Sequence, residues 1–313
     1  MIRQNRKFEH QAEDSKPVVS RGRAGDFNRN RAPVRRPVPA RPSTVSPVSK
    51  EDMVRFVALG GLEEVGRNMM ALEYKDEIIV VDMGLQFPEE DTPGIDYIIP
   101  NTTYLEERKH KVKAVVITHA HLDHIGAVPY LMGKVGNPPV YTAALTKEMI
   151  LRRQEEFTNA PKLDIRVVQN HDKVRLSEHF EAEFFGVTHA IPDTLGMILK
   201  TPIGNIVHFA EMKFDYDKDG KPQGLDEYER IGKMGVHTLF LDSTGAVKPG
   251  FSLSERIVEK NIEEIFKKAD GRVIVGAFST LLVRISEIIK IAEKYDRKIG
   301  SFRPAPKGSR TRA

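Results

Sequence analysis

The chain is 313 residues long, carries a formal net charge of +4 and contains no cysteine. Disulfides, thiolate metal sites and a cysteine nucleophile are thereby excluded, so any metal must rest on nitrogen and oxygen ligands. No apolar run approaches the ~18–20 residues needed to span a bilayer, and the first ten residues lack the apolar stretch of a secretory signal, so a cytoplasmic location is expected.

The charge is unevenly spread. Residues 1–50 hold twelve Lys/Arg against four Asp/Glu, a net of +8, and Arg303, Lys307, Arg310 and Arg312 add four more. The part between is acidic, at −8. Residues 1–52 are rich in Arg, Pro and Ser and bury too little apolar surface to offset the entropy of ordering, so they are read as a disordered basic arm. Such an arm attracts nucleic-acid phosphates; a solubilising tail is the alternative.

Ordered structure is expected from Met53. MVRFVAL reads as a strand stopped at Gly60-Gly61, and MMALEY and EIIVVDMG follow as strands joined by a hairpin turn at Lys75-Asp76. KAVVIT (113–118) is a continuous β-branched run, the signature of a buried strand. IGAVPYLMGKV reads as a helix, with Pro129 in its first turn or kinking it. PPVYTA is a short strand, and a helix runs from Thr146 to Phe157. IRVVQ, KVRL, FEAEFFGV, GMILKT and GNIVHFA are then read as strands. Beyond Leu225 the pattern alternates: a helix near 225–234, strand HTLFLD, a helix over 254–268, strand RVIVGAF and a helix over 281–295. A β-rich unit followed by an α/β unit is the expected organisation. Arg297-Lys298-Ile299 looks like the start of a further strand, but Pro/Arg/Ser-rich text replaces it from Ser301, so a truncation or frameshift near Gly300 is expected.

His119-Ala120-His121-Leu122-Asp123-His124 packs three imidazoles and a carboxylate into six residues directly after a strand. His119 and His121 are two apart and point the same way in an extended loop, while Asp123 and His124 open a helix and face a neighbouring point. Imidazole and carboxylate suit Zn²⁺ and related divalent ions. Two such points roughly 3.5–4 Å apart make a two-metal site that activates water. His189, at a strand end, is the best additional imidazole, and Asp82 could fix a ligand histidine's tautomer. His110 reads as part of a solvated KHKVK run, His171 and His179 as polar-turn residues, His10 as part of the arm, and His208 and His237 as packed strand residues.

HAHLDH resembles the HxHxDH signature of the metallo-β-lactamase superfamily. With GGLEEVGRNM, VVDMGLQFPEEDTPGIDYIIP and THAIPDTLG, the chain resembles the ribonuclease J family, in that superfamily's β-CASP branch. KFDYD, LDST and VIVGAFSTLLVRISEII resemble the first part of the β-CASP insertion, and the likeness covers about residues 53–300. The resemblance implies an α/β (α+β) chain: an incomplete αββα sandwich over 53–220, a partial α/β β-CASP domain over 221–300, and a disordered basic tail over 301–313. It makes His119, His121 and His189 ligands of one metal, and Asp123 and His124 ligands of the other. Glu211 stands where the family has a bridging aspartate. Asp82, Asp123 and Asp242 are implied to be catalytic. Thr280, Leu281 and Leu282 align with a nucleotide-contacting Ser-Asn-Ile stretch, where only backbone contacts survive the change. The implied cofactor is two Zn²⁺, with Mn²⁺ or Mg²⁺ as alternatives. The implied activity is RNA cleavage by a metal-activated water, 5′-to-3′ exonucleolytic with a preference for a 5′-monophosphate, and endonucleolytic as well. RNA is the expected partner; a homo-oligomer, and RNA-decay or ribosome-associated partners of the arm, are compatible with the family. Two alternatives stay open, an inactive remnant that binds RNA or a partner and a small-molecule hydrolase of glyoxalase or lactamase type.

Overall fold

The computed structural model describes residues 53–88, 92–217, 220–250 and 253–300; the expected basic arm and tail lie outside them. Six strands form the first sheet in the order β1 (Arg55–Gly60), β2 (Met69–Tyr74), β3 (Glu77–Val81), β4 (Val112–Val116), β5 (Val140–Thr142) and β6 (Ile165–Val167). The β1–β2 and β2–β3 pairs are antiparallel, and the pairs from β3 to β6 are parallel. Parallel neighbours need crossovers. These are supplied by α1 (Thr103–Glu106), α2 (Leu122–Ile125), α3 (Val128–Leu131) and α4 (Ala144–Gln154).

The second sheet runs β11 (Val236–Phe240), β10 (Gly204–His208), β9 (Leu195–Thr201), β8 (Glu181–Gly186), β7 (Lys173–Arg175). All its pairs are antiparallel except β10–β11. β11 comes from the stretch expected in the second domain, yet it extends this sheet.

Side-chain alternation sorts the strands' apolar residues into layers. Leu72, Ile79, Val81 and Val116 of the first sheet meet Phe184, Met197, Leu199 and Ile206 of the second in a central core. The opposite residues Ala71, Ile78, Val80 and Val115 pack on Ile125, Val128, Leu131 and Ile150 of the helices. Phe185, Ile198 and Val207 pack on Ile231 of α5 (Leu225–Gly232). The result is helix, sheet, sheet, helix, in agreement with the implied sandwich. Each such aliphatic side chain withdrawn from water contributes roughly 1.5–3 kcal/mol.

Three readings are corrected. The helix expected over 125–135 is two one-turn helices, α2 and α3, with Pro129 in the first turn of the second, where its missing N–H leaves no intrahelical bond unmade. RVIVGAF (272–278) is not a strand: it lies between α6 (Glu255–Lys268) and α7 (Leu282–Lys294) with no neighbouring strand among the described residues. Val273 packs on the α6–α7 cluster, but Ile274 and Phe278 are 88% and 79% exposed. Arg297-Lys298-Ile299 likewise forms no strand.

Candidate metal centre

β4 delivers Thr118 and the HAHLDH loop to one end of the first sheet. His121 is the N-cap residue of α2, with extended backbone, and its carbonyl accepts the amides of His124 and Ile125. Asp123 and His124 therefore lie in the first turn of α2 while His119 precedes it. The loop after β3 clasps this turn: Met83 N–H donates to the His124 carbonyl at 2.8 Å and Leu85 N–H to that of Leu122 at 3.0 Å. The clasp is close because residue 84 is glycine; a Cβ there would stand 1.5 Å from the Asp123 carbonyl oxygen. Asp82 sits at φ +61°, an uncommon conformation for a residue with a Cβ, held by its bonds to Thr118.

Two groups of donor atoms result. His119, His121, His189 and Glu211 form the first, and Asp123, His124 and Glu211 the second, with all donor atoms in each group within 4.8 Å of one another. His121 Nδ1 lies 3.0 Å from His119 Nε2 and 3.2 Å from His189 Nε2. One Glu211 oxygen is 3.1 Å from His189 Nε2, and the other is 3.2 Å from His124 Nε2. The carboxylate thus spans both groups. The extra methylene of glutamate over aspartate does not carry it away from either.

Burial, together with the neighbouring His124 and His189, holds His119 well below the ordinary imidazole pKa. Burial and His189 lower His121 to about 4. Both rings are neutral at pH 7, so each keeps a lone pair on one nitrogen, and with the Glu211 carboxylate beside them this arrangement suits a cation. His124 goes the other way. Burial opposes its charge, but the Asp82 carboxylate outweighs it, with help from Glu211, and raises the pKa to about 10. Burial also works against ionised Glu211, yet hydrogen bonds from His124 and His189 keep it far below the usual carboxylate range. Asp123 is raised, chiefly by burial. The donor set is all nitrogen and oxygen, preformed and largely desolvated. It fits divalent cations.

Asp82 joins neither group. Its Oδ2 lies 2.8 Å from His124 Nδ1, which leaves His124 Nε2 facing Glu211. Asp242 is half-buried and outside both groups; it accepts the amides of Thr244 at 2.7 Å and Met212 at 3.4 Å, and lines a cavity of about 620 Å³ shared with Asp82, His124 and Glu211. Leu281 lines a smaller cavity with His189, Lys213 and Arg284. Leu282 instead packs on the core between the first sheet and its helices, and the Thr280 carbonyl accepts its amide. His179 bonds Glu77, and His237, expected to be packed, is exposed on the edge strand β11.

Two contributors escaped the sequence. Asn68 Nδ2 lies 3.1 Å from both Asp123 Oδ2 and His124 Nε2, and Thr118 Oγ1 bonds both Asp82 oxygens. Neither has a spacing signal; Asn68 is 55 residues from Asp123.

Comparisons with known proteins bear on the family and the fold. The family description "Metallo-beta-lactamase superfamily" matches residues 62–206. A "Ribonuclease J" of Mycoplasma pneumoniae is 42% identical over 245 residues, covering 78% of this chain and 43% of its own length. One of Thermus thermophilus is 40% identical over 255 residues, covering 80% and 44%. The chain thus spans less than half the length of these curated relatives. A crystal structure of a protein of unknown function from Enterococcus faecalis superposes with a TM-score of 0.58 at 18% identity, covering 76% of this chain and 63% of that one, which supports the fold alone.

Proposed function

Residues 62–206 belong to the metallo-β-lactamase superfamily in a chain related to ribonuclease J, and from that premise we propose that the protein hydrolyses RNA phosphodiester bonds at a two-metal centre. The observation that carries the proposal is the Glu211 carboxylate, common to both donor groups. In this reading His119, His121 and His189 hold one divalent ion, Asp123 and His124 the other, and Glu211 both; zinc is the first candidate for each. Bound divalent ions supply electrophilic stabilisation of a phosphate oxygen and lower the pKa of water.

The chain's own side chains do the rest. Asp82 keeps a proton on His124 Nδ1, so that Nε2 is the coordinating atom. Asn68 holds Asp123 Oδ2 and fixes the rotamer of that carboxylate. Asp242 ties its strand end to the Met212 amide next to Glu211 and shapes the wide cavity on the His124 side. That cavity could admit a nucleotide strand. Leu281 borders the opposite, His189 side. Lys213 and Arg284 lie there too, both paired with Glu255. We further propose that the expected β-CASP-like part begins after β11 and not at residue 221, that RNA is the substrate, and that the protein works in the cytoplasm.

The test is hydrolysis of 5′-monophosphorylated RNA by the full chain, with and without added Zn²⁺ or Mn²⁺, beside a thioester and a β-lactam. Metal-dependent loss of RNA alone is expected. Turnover of only the small substrates would replace this reading with a glyoxalase- or lactamase-type one, and RNA binding without cleavage would make the chain an inactive RNA-binding relative.

A further inference from the structure

Glu211 reaches both donor groups because the turn that follows β10 is held in an uncommon conformation. Ala210 has φ +54°, in the left-handed region that a residue with a Cβ rarely adopts. Something must hold it there. The amides on either side are pinned one by one: Phe209 N–H donates to the Phe240 carbonyl at 3.1 Å, Met212 N–H to Asp242 at 3.4 Å, and Lys213 N–H to the Thr188 carbonyl at 2.9 Å. The strained residue is held by a side chain. Ala210 N–H donates to Nδ1 of His208 at 3.1 Å.

We infer that His208 is a positioning residue for the metal centre: its Nδ1 locks the Ala210 turn and so fixes where the Glu211 carboxylate stands between the two donor groups. This rests on the reading of Glu211 as a shared ligand. The ring suits the task. It belongs to neither donor group, and it is braced against Phe240 of β11, with ring centroids 6.2 Å apart. Accepting the Ala210 amide requires a free lone pair on Nδ1. Burial supports this by holding the imidazole neutral, its pKa lowered to about 4. A side-chain acceptor two residues before the amide it binds is the arrangement that asparagine makes in Asx turns, so asparagine should substitute for this histidine in particular.

The experiment compares wild type, His208→Leu and His208→Asn in the full chain by two readouts: hydrogen exchange at the Ala210 amide without metal, and Zn²⁺ affinity by isothermal titration. His208→Leu should speed Ala210 exchange at least tenfold and weaken the Glu211-dependent zinc equivalents by roughly 10–100-fold, as loss of an orienting partner does in metal sites. His208→Asn should restore both. A folded leucine variant with wild-type exchange and zinc affinity would overturn the inference, as would an asparagine variant no better than leucine. If the leucine variant does not fold, the asparagine variant decides: wild-type protection and affinity support the role, and loss of both with intact secondary structure rejects it. A wild-type chain that protects Ala210 yet binds no zinc would remove the ligand reading of Glu211, while the exchange data still judge the turn.

Discussion

Nδ1 of His124 lies 2.8 Å from Oδ2 of Asp82, a residue 42 positions earlier at the end of a different strand. The bond joins two buried groups, and the same Asp82 carboxylate accepts the Thr118 amide at 2.8 Å. One buried aspartate thus orients both the strand end that launches the HAHLDH loop and the imidazole that completes it.

Asp82→Asn should separate charge from shape. The amide has nearly the same volume but presents either an N–H donor or a weaker acceptor to His124. We expect metal affinity to fall roughly 10–100-fold, with a stability loss of about 1–3 kcal/mol from the mismatched buried bonds. Competition with a chromophoric zinc chelator measures the first and urea unfolding the second. Unchanged affinity would show that His124 needs no orienting partner.

Metal binding should release a proton. His124 has a pKa raised to about 10 in the metal-free chain, so at pH 7 its Nε2 carries a proton that coordination must displace. The sign follows: affinity for the ion on Asp123, His124 and Glu211 rises with pH, by close to tenfold per unit below about 10. Titration calorimetry in buffers of different ionisation enthalpy should find about one proton released per ion at this group. A value near zero would contradict the protonated His124.

Gly84→Ala should unfold the clasp. The added Cβ would meet backbone, the Asp123 carbonyl oxygen at 1.5 Å, and neither segment can move without breaking the Met83 and Leu85 hydrogen bonds. A loss of about 3 kcal/mol or more is expected, a fall in melting temperature of about 6–12 °C. A thermal melt within 2 °C or so of wild type would mean that the loop around α2 is far more pliant than its hydrogen bonds imply.

Glu77 should govern acid stability. At the start of β3 it accepts hydrogen bonds from Ser177 Oγ and from the amides of Glu178 and His179, tying the first sheet to the β7–β8 turn of the second. Burial disfavours its charge, but these bonds outweigh it and hold its pKa below the ordinary value of 4.5. A lowered folded pKa means stability that is present above the unfolded pKa and lost as pH falls through the folded one. Glu77→Gln should therefore be about 1–3 kcal/mol less stable at pH 7, with the gap closing as pH drops below about 4. Unfolding curves at pH 7 and pH 3 with equal gaps would contradict it.

Much of this was legible in the sequence for a local reason. Ile78 to Val81 and Ala114 to Ile117 are apolar on both faces and read as buried strands, because both faces are covered. The HAHLDH ligands are within six residues, so spacing alone brings them together. Glu211 was legible only through resemblance, since nothing near Ala210 in the chain announces a ligand. Asn68, Thr118, Gly84 and His208 act through contacts that only the folded backbone creates, and their residue types are common in ordinary turns and strand ends. RVIVGAF was misread because β-branched composition reports extended chain but cannot report whether a partner strand lies beside it.

The central claim, that Glu211 serves both donor groups, is tested most directly by counting zinc in the reconstituted full chain with and without Glu211→Gln. The account predicts about two ions per wild-type chain and at most one retained by the variant, with His119, His121 and His189 still in place. Two ions held equally well by the variant, or none by the wild type, would contradict it.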